Sequence, residues 1–367
     1  MQAQLRRQRA EEKNYPVNLL PALRGVQFVC PLCRGDLVVL ANGYHCGSCQ
    51  KKYLLHDGIP DFRVFPDPYL NLVEDYERTE IVLAGLERYD LEKLLEYYWS
   101  FSDITPEKLR PKFVRSAMLG EERAQRTLEI FEDGTFKKKI AAKKVLEIGS
   151  GTGNFLALAA GRYEQVVGVD IAMRWLHVSR RRFMDRGIPV PPLVCCCAEY
   201  LPFADNSFDL VVTTSTLEFV KDPAKVLSEC ERMLTAAGVV FINSVNRYAF
   251  ARDPYSYLWG VGFLPRRWQG AYVRWRSDAT YKSKTLSYLE LNRLARLKFP
   301  EREFALPDVG AAALRQFSTL TRLQINIYRL LKKLPAFSLL LKQIGPGWDA
   351  VFRKNQFRSN NRDSKSA

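Results

Sequence analysis

Four cysteines near the start of the sequence have the spacing of a metal site. Cys30 and Cys33 form one CxxC pair, Cys46 and Cys49 form a second, and twelve residues separate the pairs. In a cytosolic protein, two such pairs predict a tetrahedral zinc site, because each tight turn brings two sulfurs to one ion. Four thiolates complete the coordination shell, so this zinc would be structural and not catalytic. His45 is a candidate substitute ligand, and a redox pair or unpaired thiols are the alternative.

A second group of residues predicts a binding site for a nucleoside-containing cofactor. The apolar strand predicted at Lys144–Ile148 leads into the glycine loop, Gly149-Ser-Gly-Thr-Gly153, and a helix is predicted from Asn154. Glycines let the backbone turn tightly and let a ligand approach the peptide plane, while a helix start offers free N–H groups. Asp170 ends the next predicted strand, where a carboxylate can accept hydrogen bonds from both hydroxyls of a ribose.

The spacing of the glycines excludes two common nucleotide sites. A dinucleotide-binding loop has its third glycine three residues after the second, and that position is Asn154 here. No Gly-Lys-Ser or Gly-Lys-Thr follows the loop, so a Walker loop is excluded as well. The cofactor must therefore be a nucleoside of another class.

Residues 140–250 resemble the class I S-adenosylmethionine-dependent methyltransferases of the type 11 kind. The resemblance is carried by Glu147-x-Gly149-x-Gly151-x-Gly153, by Asp170, and by Ala198-Glu199-Tyr-Leu-Pro-Phe203 ahead of Phe208-Asp209. It implies an α/β fold with a Rossmann-like, doubly wound sheet that binds S-adenosylmethionine. The cofactor-binding residues that it implies are Glu147, Gly149, Ser150, Gly151, Gly153, Asp170, Ile171, Ala198 and Glu199.

The resemblance also implies a role for each part of this set. Glu147 and the first two loop glycines would frame the methionine end of the cofactor, and Asp170 would bind the ribose hydroxyls. Ile171 would pack on the adenine ring. Ala198 would offer its backbone amide to that ring, with Glu199 beside it.

The sequence departs from the family at two positions and does not disclose a catalytic base. Cys197 stands where relatives usually carry an aspartate that accepts from the adenine amine, and Phe219 stands where they often carry a histidine. The three histidines of the chain, His45, His56 and His177, are not placed for base duty. Three other groups could help but are better explained as structural: Glu218, Tyr248 and Tyr281.

The cysteine-rich segment 26–65 resembles the Trm112-like zinc ribbons, which are companions or fused modules of methyltransferases. The resemblance rests on the second CxxC knuckle, an aromatic residue after it, and the turn Asp57-Gly-Ile-Pro60. It implies a zinc-binding module beside the methyltransferase, with the four cysteines as ligands.

The two sites divide the 367 residues into six predicted segments. The ribbon precedes a stretch with apolar residues at helical spacing, and the glycine loop opens an alternating strand–helix pattern. The segments are an N-terminal extension at 1–25, the zinc ribbon at 26–65, a helical linker or cap at 66–140, the cofactor-binding core at 141–250, a basic and aromatic acceptor or lid region with amphipathic C-terminal helices at 251–352, and a disordered tail at 353–367.

Charge is concentrated at one end of the chain. Residues 261–367 contain 21 basic and 7 acidic residues, and this excess supplies nearly all of the net charge of +15 of the whole sequence. This asymmetry predicts an anionic or phosphate-bearing partner, and a soluble basic domain without such a partner is the alternative. Residues 321–344 form a basic amphipathic stretch, which predicts either a helix on an anionic membrane surface or a helix packed on its own domain.

Composition and hydropathy exclude several classes of protein. A hydrophobic content of 47% and a charged content of 26% are typical of globular domains and exclude collagen-like and fully disordered chains. No apolar run reaches the ~18 residues of a membrane span, and residues 1–13 have no apolar core of a signal peptide. A cytoplasmic protein is expected, with peripheral membrane attachment as a variant.

Three hypotheses about function follow. The first is a methyltransferase that acts on a small-molecule, glycan or lipid-linked acceptor. The second is a methyltransferase of ribosomal or transfer RNA that uses the ribbon and the basic C-terminal region. The third is a non-catalytic module that binds the cofactor or only a protein partner.

Overall fold

The computed structural model of the chain describes residues 26–102, 105–308, 314 and 319–354. The predicted extension at 1–25 and the predicted tail beyond Lys354 lie outside the described residues. The strands are β1 (Leu37–Leu40), β2 (Gly43–Cys46), β3 (Lys52–His56), β4 (Ile59–Pro60), β5 (Lys144–Ile148), β6 (Gln165–Asp170), β7 (Leu193–Cys195), β8 (Phe208–Thr214), β9 (Leu234–Val245), β10 (Glu301–Ala305) and β11 (Gly347–Arg353). The α-helices are α1 (Leu72–Leu86), α2 (Leu91–Ser100), α3 (Arg110–Met118), α4 (Gly120–Ile130), α5 (Asn154–Ala159), α6 (Met173–Asp185), α7 (Pro223–Met233), α8 (Arg266–Ser277), α9 (Tyr288–Arg296), α10 (Thr319–Leu331) and α11 (Pro335–Ile344).

Seven strands form a mixed central sheet in the order β10-β11-β9-β8-β5-β6-β7. Strands β5 to β9 run parallel to their neighbours, and β11 lies antiparallel between β9 and β10. The parallel strands are mostly apolar because helices cover both faces of the sheet, and two clusters of buried side chains form the core. The predicted Rossmann-like, doubly wound fold is confirmed.

The strand order creates a crevice at the carboxyl ends of the parallel strands in this sheet. Strand β5 has β6 on one side and β8 on the other, so the chain segments that follow β5 and β8 diverge. In open α/β sheets, ligands bind at the carboxyl ends of the strands where the order reverses. The glycine loop follows β5, and Asp170 ends β6, so both predicted features lie at this crevice.

The N-terminal ribbon, residues 26–65, is an antiparallel four-stranded meander of β1 to β4. Its aromatic core joins that of the central domain, because the ring of Phe28 lies 5.2 Å from Phe62 and 5.6 Å from Phe203. As the chain leaves the ribbon, Phe62 N donates to Cys195 O at 2.7 Å. The ribbon is therefore attached to the outer edge of the central sheet at β7.

The predicted helical linker is present as α1 to α4. Helix α1 begins with a capping box, in which Asn71 accepts from Glu74 N at 3.0 Å and Glu74 accepts from Asn71 N at 2.8 Å. Both α1 and α2 pack on α6, and the Tyr98 ring lies 5.0 Å from Trp175 of that helix. The linker thus supports the helix that follows Asp170.

The C-terminal third differs from its prediction in one respect. Strands β10 and β11 come from the segment 251–352 that was assigned to the acceptor or lid region, and they complete the central sheet. The core therefore extends past residue 250, and the predicted tail boundary at 353 moves outward because Arg353 still pairs with Glu301. The signal was weak because β10 is a charged edge strand and β11 contains a glycine and an aspartate.

The amphipathic stretch predicted at 321–344 forms α10 and α11, with Pro335 at the first position of the second helix. Within the described part of the chain, none of the helices has both the length and the hydropathy required to cross a membrane.

Candidate active site

The glycine loop turns sharply between β5 and α5. Gly149, Gly151 and Gly153 have φ angles of 73°, 50° and 74°, a region that glycine adopts without a steric penalty. Gly149 N and Ser150 N donate to Val169 O at 2.8 and 3.0 Å, which ties the loop to the end of β6. A Cβ added at Gly151 would meet no atom within 4 Å, so this glycine borders open space.

The Asp170 carboxylate lies against the same loop. Its Oδ2 accepts from Gly151 N at 2.8 Å, and its Oδ1 accepts from Ala172 N at 2.9 Å. Burial raises the pKa of Asp170 to about 6, although these two backbone donors act in the opposite direction. The group is therefore ionised at neutral pH and keeps lone pairs that can accept hydrogen bonds from hydroxyl groups.

A pocket of about 320 Å³ opens beside this carboxylate, a volume within the ~300–1,000 Å³ range of ligand sites. Its surface is mostly apolar, with Ile148 and Val169 from the strands and Phe219 after β8. Six of the nine predicted cofactor residues line it: Gly149, Gly151, Asp170, Ile171, Ala198 and Glu199. A crevice bounded by a tight loop, with the Asp170 carboxylate against that loop, suits a nucleoside whose ribose lies at Asp170.

The other three predicted residues do not line the pocket, and Ser150 and Gly153 are part of the glycine loop itself. Glu147 is buried, and Glu147 Oε2 and Ser150 Oγ have no hydrogen-bond partner among the described residues. Burial and the nearby charge of Asp170 raise the pKa of Glu147 well above its usual range. Gly153 packs closely on α6, because a Cβ there would lie 2.8 Å from Ser179 Cβ. Direct contact of these three residues with a cofactor stays a prediction.

Glu199 both lines the pocket and holds the loop after β8. The side chain is buried, and its Oε1 accepts from Lys221 N at 2.7 Å and from Asp222 N at 3.1 Å. Lys221 is itself a lining residue. The carboxylate therefore fixes this side of the pocket through backbone contacts.

One wall of the pocket was missed by the sequence analysis. The wall segment, Phe65-Pro-Asp-Pro-Tyr69, connects the ribbon to α1 and supplies five consecutive lining residues. It is held by Cys197, whose Sγ accepts from Val64 N and donates to Phe65 O, both at 3.4 Å. The departure from the family at this cysteine is the signal that could have revealed the contact.

A buried ionic network connects the wall segment to the helix after Asp170. Arg63 bonds to Asp61 and Asp75, at 2.6 and 2.5 Å, and Arg174 bonds to Asp67 at 2.6 Å and to Asp75 as well. Burial alone would raise the pKa of Asp61, but the hydrogen bonds and charge of Arg63 hold it below its usual range.

The backbone at the pocket shares in this network. Met173 N, at the start of α6, donates to Asp75 Oδ2 at 3.0 Å, and Arg63 Nη1 donates to Ile171 O at 3.3 Å. The network thus holds three parts of the chain together at the pocket: the exit from the ribbon, α1 and α6.

Replacing Arg63 with methionine should reduce the free energy of unfolding by about 3–5 kcal/mol, because it leaves Asp61 and Asp75 buried without their shared cation. Arg126→Met is the control, since Arg126 is partly exposed, pairs with Glu129 and Asp133, and should change stability by about 0–1 kcal/mol. Denaturant unfolding followed by circular dichroism measures both, and equal stabilities of the two variants would contradict the role of the network.

The sequence profile of the family described as "Methyltransferase domain" matches residues 146–242. This interval begins within β5, contains the glycine loop, Asp170 and Ala198-Glu199, and ends within β9. By this match, residues 146–242 are similar to a methyltransferase domain, and we refer to them by that description. The match runs from β5 to β9 of the central sheet, while the ribbon, the linker and the last two strands lie outside it.

Curated relatives of the methyltransferase domain carry one recurring name. The ubiquinone biosynthesis O-methyltransferase of Pseudomonas aeruginosa is 33% identical over 122 residues, which are 33% of this chain and 50% of that protein. The protein of the same name from Thiobacillus denitrificans is 34% identical over 110 residues, which are 30% of this chain and 47% of that protein. The chain thus spans about half the length of these relatives.

Solved structures also align with the chain, at low similarity. The PH0226 protein of Pyrococcus horikoshii is 18% identical with a TM-score of 0.44, over 71% of this chain and 99% of that one. A phosphoethanolamine N-methyltransferase of Haemonchus contortus is 19% identical with a TM-score of 0.42, over 64% of this chain and 52% of that one.

The four predicted zinc ligands come together in the ribbon. The sulfurs of Cys30, Cys33, Cys46 and Cys49 all lie within 4.8 Å of one another. Cys30 Sγ lies 3.5 Å from Cys49 Sγ, and Cys33 Sγ lies 3.4 Å from Cys46 Sγ. These distances are near the ~3.8 Å between two sulfurs of a tetrahedron with Zn–S bonds of ~2.3 Å. The arrangement fits a closed, four-thiolate zinc centre. His45, the substitute candidate, is not part of this cluster.

The cysteine cluster lies close to the contact between the ribbon and the methyltransferase domain. Val29 N, beside Cys30, donates to Pro202 O at 3.0 Å. Arg34, directly after the first knuckle, donates to Leu201 O at 2.7 Å and to Glu229 Oε1 at 2.6 Å. The first CxxC turn therefore positions Val29 and Arg34, whose hydrogen bonds attach the ribbon to the domain.

Proposed function

We propose that the chain is an S-adenosylmethionine-dependent methyltransferase that acts on a small-molecule, glycan or lipid-linked acceptor. The observation that carries the proposal is the hydrogen bond between Asp170 and Gly151, two residues that line a ligand-sized pocket within the interval matched by the methyltransferase family. The name of the curated relatives supports a small acceptor, at an identity of about one third.

The residues that line the pocket can hold the cofactor by ordinary contacts. Asp170 would accept from the ribose hydroxyls, Ile171 and Ala198 would flank the adenine, and the glycine loop would leave room for the methionine end. When bound, the cofactor supplies a methyl group on a positively charged sulfur, ready for in-line displacement. The protein then contributes alignment and the exclusion of water, which lower the barrier without a covalent intermediate.

No catalytic base is assigned. Glu218 is buried, and its Oε1 accepts from Ser244 Oγ and Val245 N at 2.9 Å, which is a structural role. Tyr281 donates to Asp253 at 2.9 Å, and Tyr248 packs against Phe263 with ring centroids 5.7 Å apart. An acceptor with a hydroxyl would need a base, and alignment alone suffices for a better nucleophile.

We infer that the cysteine cluster holds a structural zinc and that the ribbon is of the Trm112-like kind. The distances between the sulfurs support the metal, and the attachment at β7 supports a module that works with the domain. With four thiolates in place, the ion has no open position for a substrate. A cytoplasmic location of the protein stays a prediction.

Transfer of tritium from labelled S-adenosylmethionine into fractionated cell extract tests the proposed function. Label in the small-molecule, glycan or lipid fraction is the expected result. Label in RNA that depends on the chain would favour the second hypothesis, whose support is the basic C-terminal third. Calorimetric titration with S-adenosylmethionine is done in parallel, and absence of heat together with absence of label would favour a non-catalytic module.

A further inference from the structure

Helices α10 and α11 leave an apolar stripe in solvent. Four apolar residues recur at helical spacing along α10 and the turn after it, and each is 45–63% exposed: Leu323, Ile327, Leu330 and Leu334. Helix α11 has no buried residue. A helix that packs on its own domain through such a stripe would bury it, whereas these four residues are exposed.

Exposed aromatic residues also follow β9 and lie on α8. Phe250 N donates to Ile344 O at the end of α11, and the Phe250 ring lies 6.0 Å from Trp259. Tyr272 OH donates to Trp259 O at 3.2 Å, and Trp275 on the same helix is 77% exposed. Side chains with an apolar body and a polar tip are enriched where a bilayer meets water.

Basic residues accompany these apolar groups. Arg267, Arg274 and Arg276 are exposed on α8, and Arg322 and Lys333 are exposed on α10 and directly after it. The last third of the chain holds three times as many basic as acidic residues. We call the whole feature, α8, α10, α11 and the Phe250–Trp259 contact, the C-terminal surface. Its charge complements an anionic layer, and its apolar groups need a hydrocarbon phase.

We propose that the C-terminal surface docks the protein on an anionic lipid bilayer, with α10 and α11 lying in the plane of the interface. An RNA would satisfy the arginines and the aromatic rings, but it offers nothing to a stripe of aliphatic side chains. Asn246 directly follows β9, at the carboxyl ends of the parallel strands, where the pocket opens. Docking therefore places this end of the sheet near the lipid.

Flotation of the full chain with lipid vesicles tests the proposal. Vesicles of phosphatidylcholine alone are compared with vesicles in which one third of the lipid is phosphatidylglycerol. The wild-type chain should float with the anionic vesicles and not with the neutral ones. Leu330→Glu should reduce the partition coefficient by about tenfold or more, because it removes a leucine from the hydrocarbon and adds a negative charge.

Val73→Glu is the matched control, since Val73 and Leu330 are both 63% exposed. Val73 lies on α1, which packs on α6 on the β6 and β7 side of the sheet, away from β10. It should float like the wild type. The proposal is overturned by equal flotation with neutral vesicles, by no flotation at all, or by an effect of Val73→Glu equal to that of Leu330→Glu. It is also overturned if light scattering finds a dimer that Leu330→Glu converts to a monomer.

Discussion

Replacing Asp170 with alanine should weaken the binding of S-adenosylmethionine by at least about 100-fold. Two hydrogen bonds from ribose hydroxyls to a charged acceptor contribute about 1.5–3 kcal/mol each, and both are lost. Gly151 N and Ala172 N also lose their acceptor, so the glycine loop is no longer tied to the end of β6. Isothermal titration calorimetry measures the affinity, and methyl transfer should decrease in parallel.

Asp205→Ala provides the control for this experiment. Asp205 is an exposed partner of Arg232, outside the pocket, and its removal should leave cofactor affinity unchanged. Circular dichroism then establishes that Asp170→Ala is folded. If folded Asp170→Ala binds the cofactor as tightly as the wild type does, the pocket is not the cofactor site and the proposed function fails with it.

Cys49→Ser should lower the midpoint of thermal unfolding by about 10 °C or more and weaken cofactor binding. Three thiolates hold zinc less tightly than four, and a structural zinc contributes directly to the folding of a small module. The ribbon buries Phe62 and leads into the wall segment, so its loss exposes apolar surface of the domain and removes one side of the pocket. Differential scanning calorimetry and metal analysis measure the two effects.

Ser48→Ala is the matched control, since Ser48 and Cys49 are neighbours and both are exposed. Cys49 has no packing role of its own at this position, so a large difference between the variants reports the metal. The proposed zinc is contradicted if Cys49→Ser has the unfolding midpoint of the wild type and binds the cofactor with the same affinity. Removal of metal from the wild type with a chelator should reproduce the effect of the substitution.

The parts of the site that follow one another closely in the chain were predictable. The glycine loop and Asp170 lie on consecutive strands, and the residue types alone indicate a ribose-binding crevice. The cysteine cluster was predictable for a similar reason, since a CxxC turn brings its two sulfurs together regardless of the surrounding fold. In each case, local geometry determines where the functional atoms lie.

The wall segment and the ionic network could not be predicted in the same way. Arg63 and Arg174 are separated by more than a hundred residues in the sequence, and they share Asp75 only because α1 packs on α6. Strand β11 was missed because its glycine and aspartate weaken the local strand signal, and its burial between β9 and β10 depends on distant parts of the chain. Contacts of this kind are decided by tertiary packing, which overrides local propensity.

The position of β11 has a consequence for synthesis on the ribosome. This strand is almost entirely buried between β9 and β10, yet it is made after more than a hundred further residues have followed β9. While the nascent chain grows, β9 presents an open edge whose pairing partner has not yet been translated. We therefore expect the nascent domain to depend on chaperones during this interval, and a ribosome stalled before codon 347 to carry an aggregation-prone product.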